Sequence, residues 1–301
     1  MLTERLALYT TVYSGVEKYL SAWYQSVKAQ TDQNFDVWIG VDGLDVGAVN
    51  VAIRARPSVK WVLGREGDSP AQIRQRAIEQ IVRQYPAVVL TDSDDILAPT
   101  RVEAARAALQ ESDVSGCAMR IVDEEERDLG LVFQPPEEIE LQTILARYNV
   151  FGLSNTAYRT ELLARCLPLP VDCVLIDWFL ATFAWTLGAS FHFDPKCRMA
   201  YRQHANNMAH ILPPFTSQQV VVATKQVLFH YAIALKDIPE LQVQHRSELE
   251  VAKNRAKSFY DAIEESTEKL SWYVDALNRL PENHIWWDIV AHPELEEIWR
   301  N

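Results

Sequence analysis

An α/β domain on a mostly parallel sheet, followed by an all-helical module, is the fold class that this chain predicts. Three observations carry it. Short β-rich runs alternate with helical periods from the start to about residue 120, as in successive βαβ units. Past the pair Pro213 and Pro214 the strand signal ceases and apolar residues recur at helical spacing. The 301 residues, 48% hydrophobic and 23% charged, are enough for a full core and exclude a disordered or low-complexity chain.

In chain order, strands are expected over residues 6–12, 35–41, 59–63, 88–91 and 114–122. Val16, Leu20, Trp23 and Val27 give an amphipathic helix that covers one sheet face. Ser69, Pro70 and Gln72 form a capping box with proline at the first helical position, so a helix starts at residue 70. Thr100 with Glu103 predicts a second box opening a helix over 101–110. After residue 123 the alternation breaks at the acidic run DEEERD, the pair Pro135 and Pro136, and FGLSNTAYR, so the sheet becomes mixed there. A buried helix over 177–187 closed by Gly188, a short strand over 190–193 and the loop YRQHANN at 201–207 follow.

Residues 173–191 carry Asp177 as their only charge, but the absence of flanking Lys or Arg anchors favours a buried helix over a membrane span. Leu249, Ala256, Ile263, Leu270 and Leu277 recur every seven residues, with Ala252, Phe259 and Tyr273 between them. This seam predicts one long helix, packed on the preceding helix over 217–235 or on a second copy as a homodimer. The expected division is therefore 1–216 and 217–301.

A formal charge of −12 argues against nucleic-acid binding. Four cysteines without a CxxC pair suggest free thiols in a reducing compartment, and the first residues lack the basic and apolar stretches of a signal peptide. A cytoplasmic protein is expected. Trp286, Trp287 and Trp299, set among acidic residues, are expected to pack on the first domain, with peripheral contact to the inner face of a membrane as the alternative.

The chemistry centres on TDSDD, residues 91–95, at an expected strand end, where ligands bind in open α/β sheets. Asp92 and Asp94 fall on one side of an extended chain and are spaced to share a hard divalent cation, Mn2+ or Mg2+; turn and cap carboxylates are the plainer reading. Asp177 opens an apolar helix, where desolvation raises its pKa as a general base requires; it also suits a helix cap, and Asp172 is the fallback base. His204 is a metal ligand, a phosphate donor or a surface histidine. Arg202 suits a phosphate or a local acid, and Arg74 a nucleotide or an ion pair with Asp68 or Glu79.

Four segments, in order, resemble the inverting family-two glycosyltransferases: LYTTVYSGVEKYLSAWYQSVKAQTDQNFDVWIGVDG, GDSPAQIRQRAI, TDSDDILAP and YRQHANN. The resemblance spans most of residues 5–210. It implies a GT-A fold, a Rossmann-like, mostly parallel mixed sheet flanked by helices, and use of a nucleotide-diphospho-sugar donor. It implies that Thr11 and Tyr13 line the base pocket, that Asp42 sits beside base or ribose, and that Arg74 reaches the nucleotide. Asp92 would hold the ribose or a metal-bound water, Asp94 would ligate the cation, Asp177 would be the base, and His204 and Arg202 lie in a loop closing over the diphosphate.

The expected activity is metal-dependent transfer of a sugar, with inversion, to a hydroxyl of a glycan or glycolipid acceptor, as in bacterial surface-polysaccharide assembly. The rivals are a sugar-phosphate nucleotidyltransferase, for which TTVYSGVE lacks the Gly-rich basic loop, and a non-catalytic glycan-binding scaffold subunit.

Overall fold

The structure, a computed structural model, describes residues 2–136, 141–205, 207–239, 241–281 and 285–300, with the backbone alone for 142 and 143. Its first half is β1 (Leu6–Tyr13), α1 (Leu20–Lys28), β2 (Phe35–Asp42), α2 (Val46–Ile53), β3 (Lys60–Leu63), α3 (Pro70–Ile81), β4 (Ala87–Leu90), β5 (Ile96–Leu97), α4 (Arg101–Ala108) and β6 (Val114–Val122). Next come β7 (Asp128–Phe133), α5 (Leu141–Leu145), β8 (Thr156–Arg159), α6 (Thr160–Arg165), α7 (Ile176–Thr186) and β9 (Phe191–Arg202). The rest is helical: α8 (Ser217–Asp237), α9 (Val243–Glu265), α10 (Thr267–Leu277), a 3-10 turn (Pro293–Leu295) and α11 (Glu296–Arg300).

One sheet runs β3-β2-β1-β4-β8-β6-β9-β5, with β7 also paired to β6. Strands β1 to β4 are mutually parallel, and β8 enters antiparallel between β4 and β6. The sheet is thus a parallel half joined to a mixed half. The strands are near-continuous apolar runs because helices cover the parallel half on both faces, and every residue of β4 is buried. Val16, Leu20, Trp23 and Val27 are all buried as their spacing predicts, although the regular helix begins only at Leu20.

The expected short strand over 190–193 instead runs on to Arg202. Parallel pairing with β6 continues past a bulge in which Pro195 and Lys196 are left out of register between Asp194 and Cys197. Proline has no N–H to give the ladder, so the strand bulges there and resumes rather than ending. Arg202 consequently lies on a strand, not in a loop. The Ser69–Gln72 capping box is present in full. Thr100 stands at the N-cap of α4 but its side chain makes no capping bond: its Oγ1 accepts a hydrogen bond from Arg198 Nη1 at 2.6 Å. The acidic run DEEERD forms the turn of a β6–β7 hairpin, a strand pair that the sequence pattern did not resolve.

Among the described residues no helix is long and apolar enough to cross a membrane, and the segment weighed as a span is the eleven-residue α7. The seven-residue seam is not one helix. Ser266 is extended, and its hydroxyl accepts from Lys269 N, ending α9 and capping α10. Leu249, Ala252, Ala256, Phe259, Ile263, Tyr273 and Leu277 are buried within the chain. The Phe259 ring lies 4.6 Å from Tyr273 and 5.6 Å from Trp299. These seam residues are thus covered by the chain itself, the first of the two expected readings, while Leu270 is only partly buried.

The buried apolar residues form one cluster from β1 to α11. Trp286, Trp287 and Trp299 belong to it. The Trp286 ring stands 4.1 Å from Phe133, its Nε1 donates to Tyr201 Oη at 3.2 Å, and its backbone bridges to Asn149. It packs directly on Gly152, where an added Cβ would sit 2.3 Å from the ring. Gly152→Ala is expected to cost about 1–3 kcal/mol by overpacking, read as a lower urea midpoint; an unchanged midpoint would show that the contact yields freely.

Candidate active site

The site lies at the carboxyl ends of the parallel strands, where side chains from β1, β2, α3, the turn after β4 and the start of α7 converge. Tyr9, Thr11 and Tyr13 alternate onto one face of β1. Tyr9 Oη and Thr11 Oγ1 are 3.0 Å apart and buried, whereas Tyr13 at the strand end is 38% exposed. Asp42 pairs in register with Tyr13 and ends β2 beside it. Burial and the carboxylates of Asp94 and Asp92 push the Tyr13 hydroxyl upward.

The 91–95 turn is held from three sides. Thr91 N continues the ladder to Tyr9 O at 3.1 Å, and Ser93 Oγ donates to Thr11 O at 2.9 Å. Ser154 Oγ sits between Asp92, at 3.2 Å, and Asp95. Asp95 also accepts from the Arg202 backbone N–H at 2.7 Å. Three carboxyls are thus crowded into one turn. Desolvation first, then the Asp94 charge, pushes Asp92 up to about 7; the same two causes raise Asp95 well above the usual carboxylate range.

Asp94 and His204 meet, with Nε2 to Oδ2 at 3.0 Å, and the imidazole stacks on Tyr19 with centroids 5.2 Å apart. Asn207 orders the loop by accepting from His204 N and donating to Arg202 O at 3.1 Å; Asn206 lies outside the described residues. Arg202 is 1% exposed. Its Nε donates to Asp94 O at 2.8 Å, Nη1 to Glu124 O at 2.9 Å and Nη2 to Glu126 at 3.2 Å, while Tyr19 lies against the guanidinium. The local-acid reading of Arg202 is the one the geometry matches, since its donors hold the turn rather than facing outward.

Arg74 behaves oppositely. Asp68 pairs with Arg76 at 2.7 Å and Glu79 accepts from Gln75 at 2.8 Å, so neither expected ion-pair partner of Arg74 is engaged with it. It makes no hydrogen bond or ion pair among the described residues. Its charge faces Tyr9, Tyr13, Asp92 and Asp177 and opposes protonation of both acids.

Asp177 lies in the first turn of α7, whose N-cap is Leu175, so it is not the cap. Burial raises its pKa, and a 2.7 Å hydrogen bond from Asn149 Nδ2 works against that rise. Asp172 is exposed on the loop before the helix. Ser154 and Asn149 are site residues that the sequence reading missed; for Ser154 the polar pair SN within FGLSNTAYR was the available signal, whereas Asn149 precedes that segment and carried none.

Among the described residues no three His, Cys, Asp or Glu side chains are arranged to hold a metal ion. A divalent cation fits nonetheless. Magnesium-type sites take one or two carboxylates and complete their shell with substrate phosphates, Asp94 with His204 is an O/N pair suited to Mn2+, and the Arg74 charge does not offset the crowding that raises Asp92. A cation beside Asp92 must displace its proton. Mn2+ affinity measured by calorimetry with UDP or GDP is therefore expected to rise from about pH 6 to about pH 8 and to be lost in Asp94→Ala; a flat profile would remove Asp92 from the site.

No protein-family model and no curated protein matches the sequence. Solved structures do. S. aureus TarS 1-349 in complex with UDP aligns with a TM-score of 0.59 at 17% identity, over 89% of this chain and 78% of that one. The longer S. aureus TarS gives 0.59 at 16%, over 89% of this chain and 47% of that one, so the chain spans about half its length. A mannosyltransferase from Pyrobaculum calidifontis, in complex with GDP-Man and Mn2+, gives 0.55 at 15%, over 91% and 80%. The mixed sheet flanked by helices, with its helical C-terminal region, is the GT-A fold that these glycosyltransferases share.

Proposed function

We propose that the protein is a glycosyltransferase that moves a sugar from a nucleotide-diphospho-sugar, with inversion and with the help of Mn2+ or Mg2+, to a hydroxyl of a glycan or glycolipid acceptor. Its setting is bacterial surface-polysaccharide assembly, in the cytoplasm or at the inner face of the membrane. The observation that carries this reading is the placement of Asp177, a half-buried acid with a raised pKa, in the same site as the Asp92–Asp94–His204 cluster and Arg74, which has no ion-pair partner among the described residues. Structures of the same fold bound to UDP-GlcNAc and to GDP-Man with Mn2+ support it.

In this reading the exposed Tyr13 ring stacks on the base over the buried Thr11, with Asp42 beside base or ribose. Asp92 faces the ribose or the cation, and Asp94 with His204 holds the cation on the diphosphate side. When bound, the cation neutralises charge on the leaving diphosphate. Arg74 adds positive charge on the nucleotide side and keeps Asp177 ionised. The Asp177 carboxylate accepts the proton of the acceptor hydroxyl as that oxygen bonds to the anomeric carbon, and the bond from that carbon to the diphosphate oxygen breaks on the opposite face. Asn149 positions the carboxylate for this transfer.

Because the acceptor is undefined, slow Mn2+-dependent hydrolysis of UDP-GlcNAc or GDP-Man serves as the assay. Asp177→Asn is expected to lower it about 10²- to 10⁴-fold while leaving the melting-temperature rise with nucleotide and Mn2+ intact; retained turnover would move the base elsewhere. The rate should rise with pH through a value above the ordinary carboxylate range, since only ionised Asp177 takes the proton. Asn149→Ala removes a donor that stabilises the ionised form, so this limb should move to higher pH. An unmoved limb would detach Asn149 from the base.

A further inference from the structure

A cavity of about 280 Å3 lies apart from the carboxylates, between residues 207–210, the first turns of α8 and residues 287–289. Its floor is buried: Ala223, Trp287 and Ile289 are 6%, 6% and 3% exposed, while Met208, Gln218 and Val222 form an open rim. Among the described residues no Asp, Glu, Lys or Arg lines it. A site without charges cannot compensate a phosphate or carboxylate, and its volume is at the low end of small-molecule sites. The polar groups are neutral. Gln226 stands on the wall and its side chain makes no hydrogen bond among the described residues; its Oε1 is itself buried, so the carboxamide is a polar group with no partner of its own. His210 makes no hydrogen bond among the described residues, and burial holds its pKa below the usual histidine range.

The walls connect the cavity to both halves of the site. Asn207 is the residue whose carboxamide fixes the loop bearing His204, and Trp287 stacks parallel to Trp178, the neighbour of Asp177, at 6.5 Å. Trp287 holds this place with a φ of 72°, a backbone conformation that a bulky residue rarely adopts.

From the uncharged lining, the aromatic floor and the unpartnered Gln226 carboxamide we infer that this cavity is a subsite for one neutral sugar ring of the acceptor glycan. An indole floor meets the apolar C–H face of a pyranose, and carboxamides meet its hydroxyls, so the ligand class follows from the lining. The inference rests on the glycosyltransferase reading for calling that sugar an acceptor.

Saturation-transfer NMR with the methyl glycosides of glucose, galactose, mannose and N-acetylglucosamine, and with octyl glucoside, tests it on the whole chain. At least one methyl glycoside is expected to bind through its ring protons. Its affinity should fall about fivefold or more in Gln226→Leu, which removes the carboxamide from the wall, and also in Ala223→Leu, which fills the floor. In both variants the melting-temperature rise with UDP or GDP and Mn2+ should persist. Three results would overturn the inference: no methyl glycoside binding, equal binding in both variants, or saturation confined to the octyl chain. Cavity-dependent glycoside binding in a protein that gives no nucleotide shift would uphold the saccharide subsite and sink the glycosyltransferase reading instead.

Discussion

The structure turns on holding three carboxyls, Asp92, Asp94 and Asp95, in one buried turn without letting their repulsion open it. Asp95 does this by facing inward, where it accepts the Arg202 N–H and meets the Ser154 hydroxyl. Arg202 completes the brace from below, its guanidinium reaching Asp94 O and the β6–β7 turn. Breaking one side of such a network would leave buried charge uncompensated, a loss of several kcal/mol in comparable sites. The long β9, the β6–β7 hairpin and the 149–155 segment can all be understood as supports for this turn.

That arrangement divides the charged residues by task. Arg202 and Asp95 are buried and fully engaged, so they shape the site; Arg74, Asp92 and Asp177 are partly open and incompletely paired, so they are available to a ligand. Asp94 with His204 stands at the boundary between the two groups. The same division explains why Tyr13 is exposed where Tyr9, four residues earlier on the same strand face, is buried.

Local signals were legible in the sequence and distant ones were not. The strands of the parallel half, the Ser69–Gln72 box and the TDSDD turn each show in residue types within a short window, and they stand where periodicity and capping chemistry place them, although the supports of the turn come from Thr11, Ser154 and Arg202 far along the chain. Asn149 and Ser154 escaped because their partners lie 28 and about 60 residues away. The twelve-residue β9 exceeds the short strand expected over 190–193 because the fold absorbs Pro195 in a bulge, which strand patterning does not register. Ser266 broke the expected long helix because a hydroxyl cap competes with helix continuation, a conflict that a seven-residue apolar repeat does not register. Thr100 had cap chemistry in sequence, but the hydroxyl was claimed by Arg198 from across the sheet.

The order of the strands also governs when the site comes into being as the chain is made. The parallel half is complete by residue 90, yet β4 then presents a bare apolar edge until β8 arrives near residue 156, and β5 has no partner until β9 near residue 199. Arg202 and His204 follow only then, and Trp286 closes over Gly152 and Asn149 later still. Such long-range pairings slow folding and leave strand edges open to self-association during synthesis. A chain halted before β9 therefore has the expected nucleotide-facing strands but no braced carboxylate turn, and its exposed edge makes it a substrate for chaperones rather than an early catalyst.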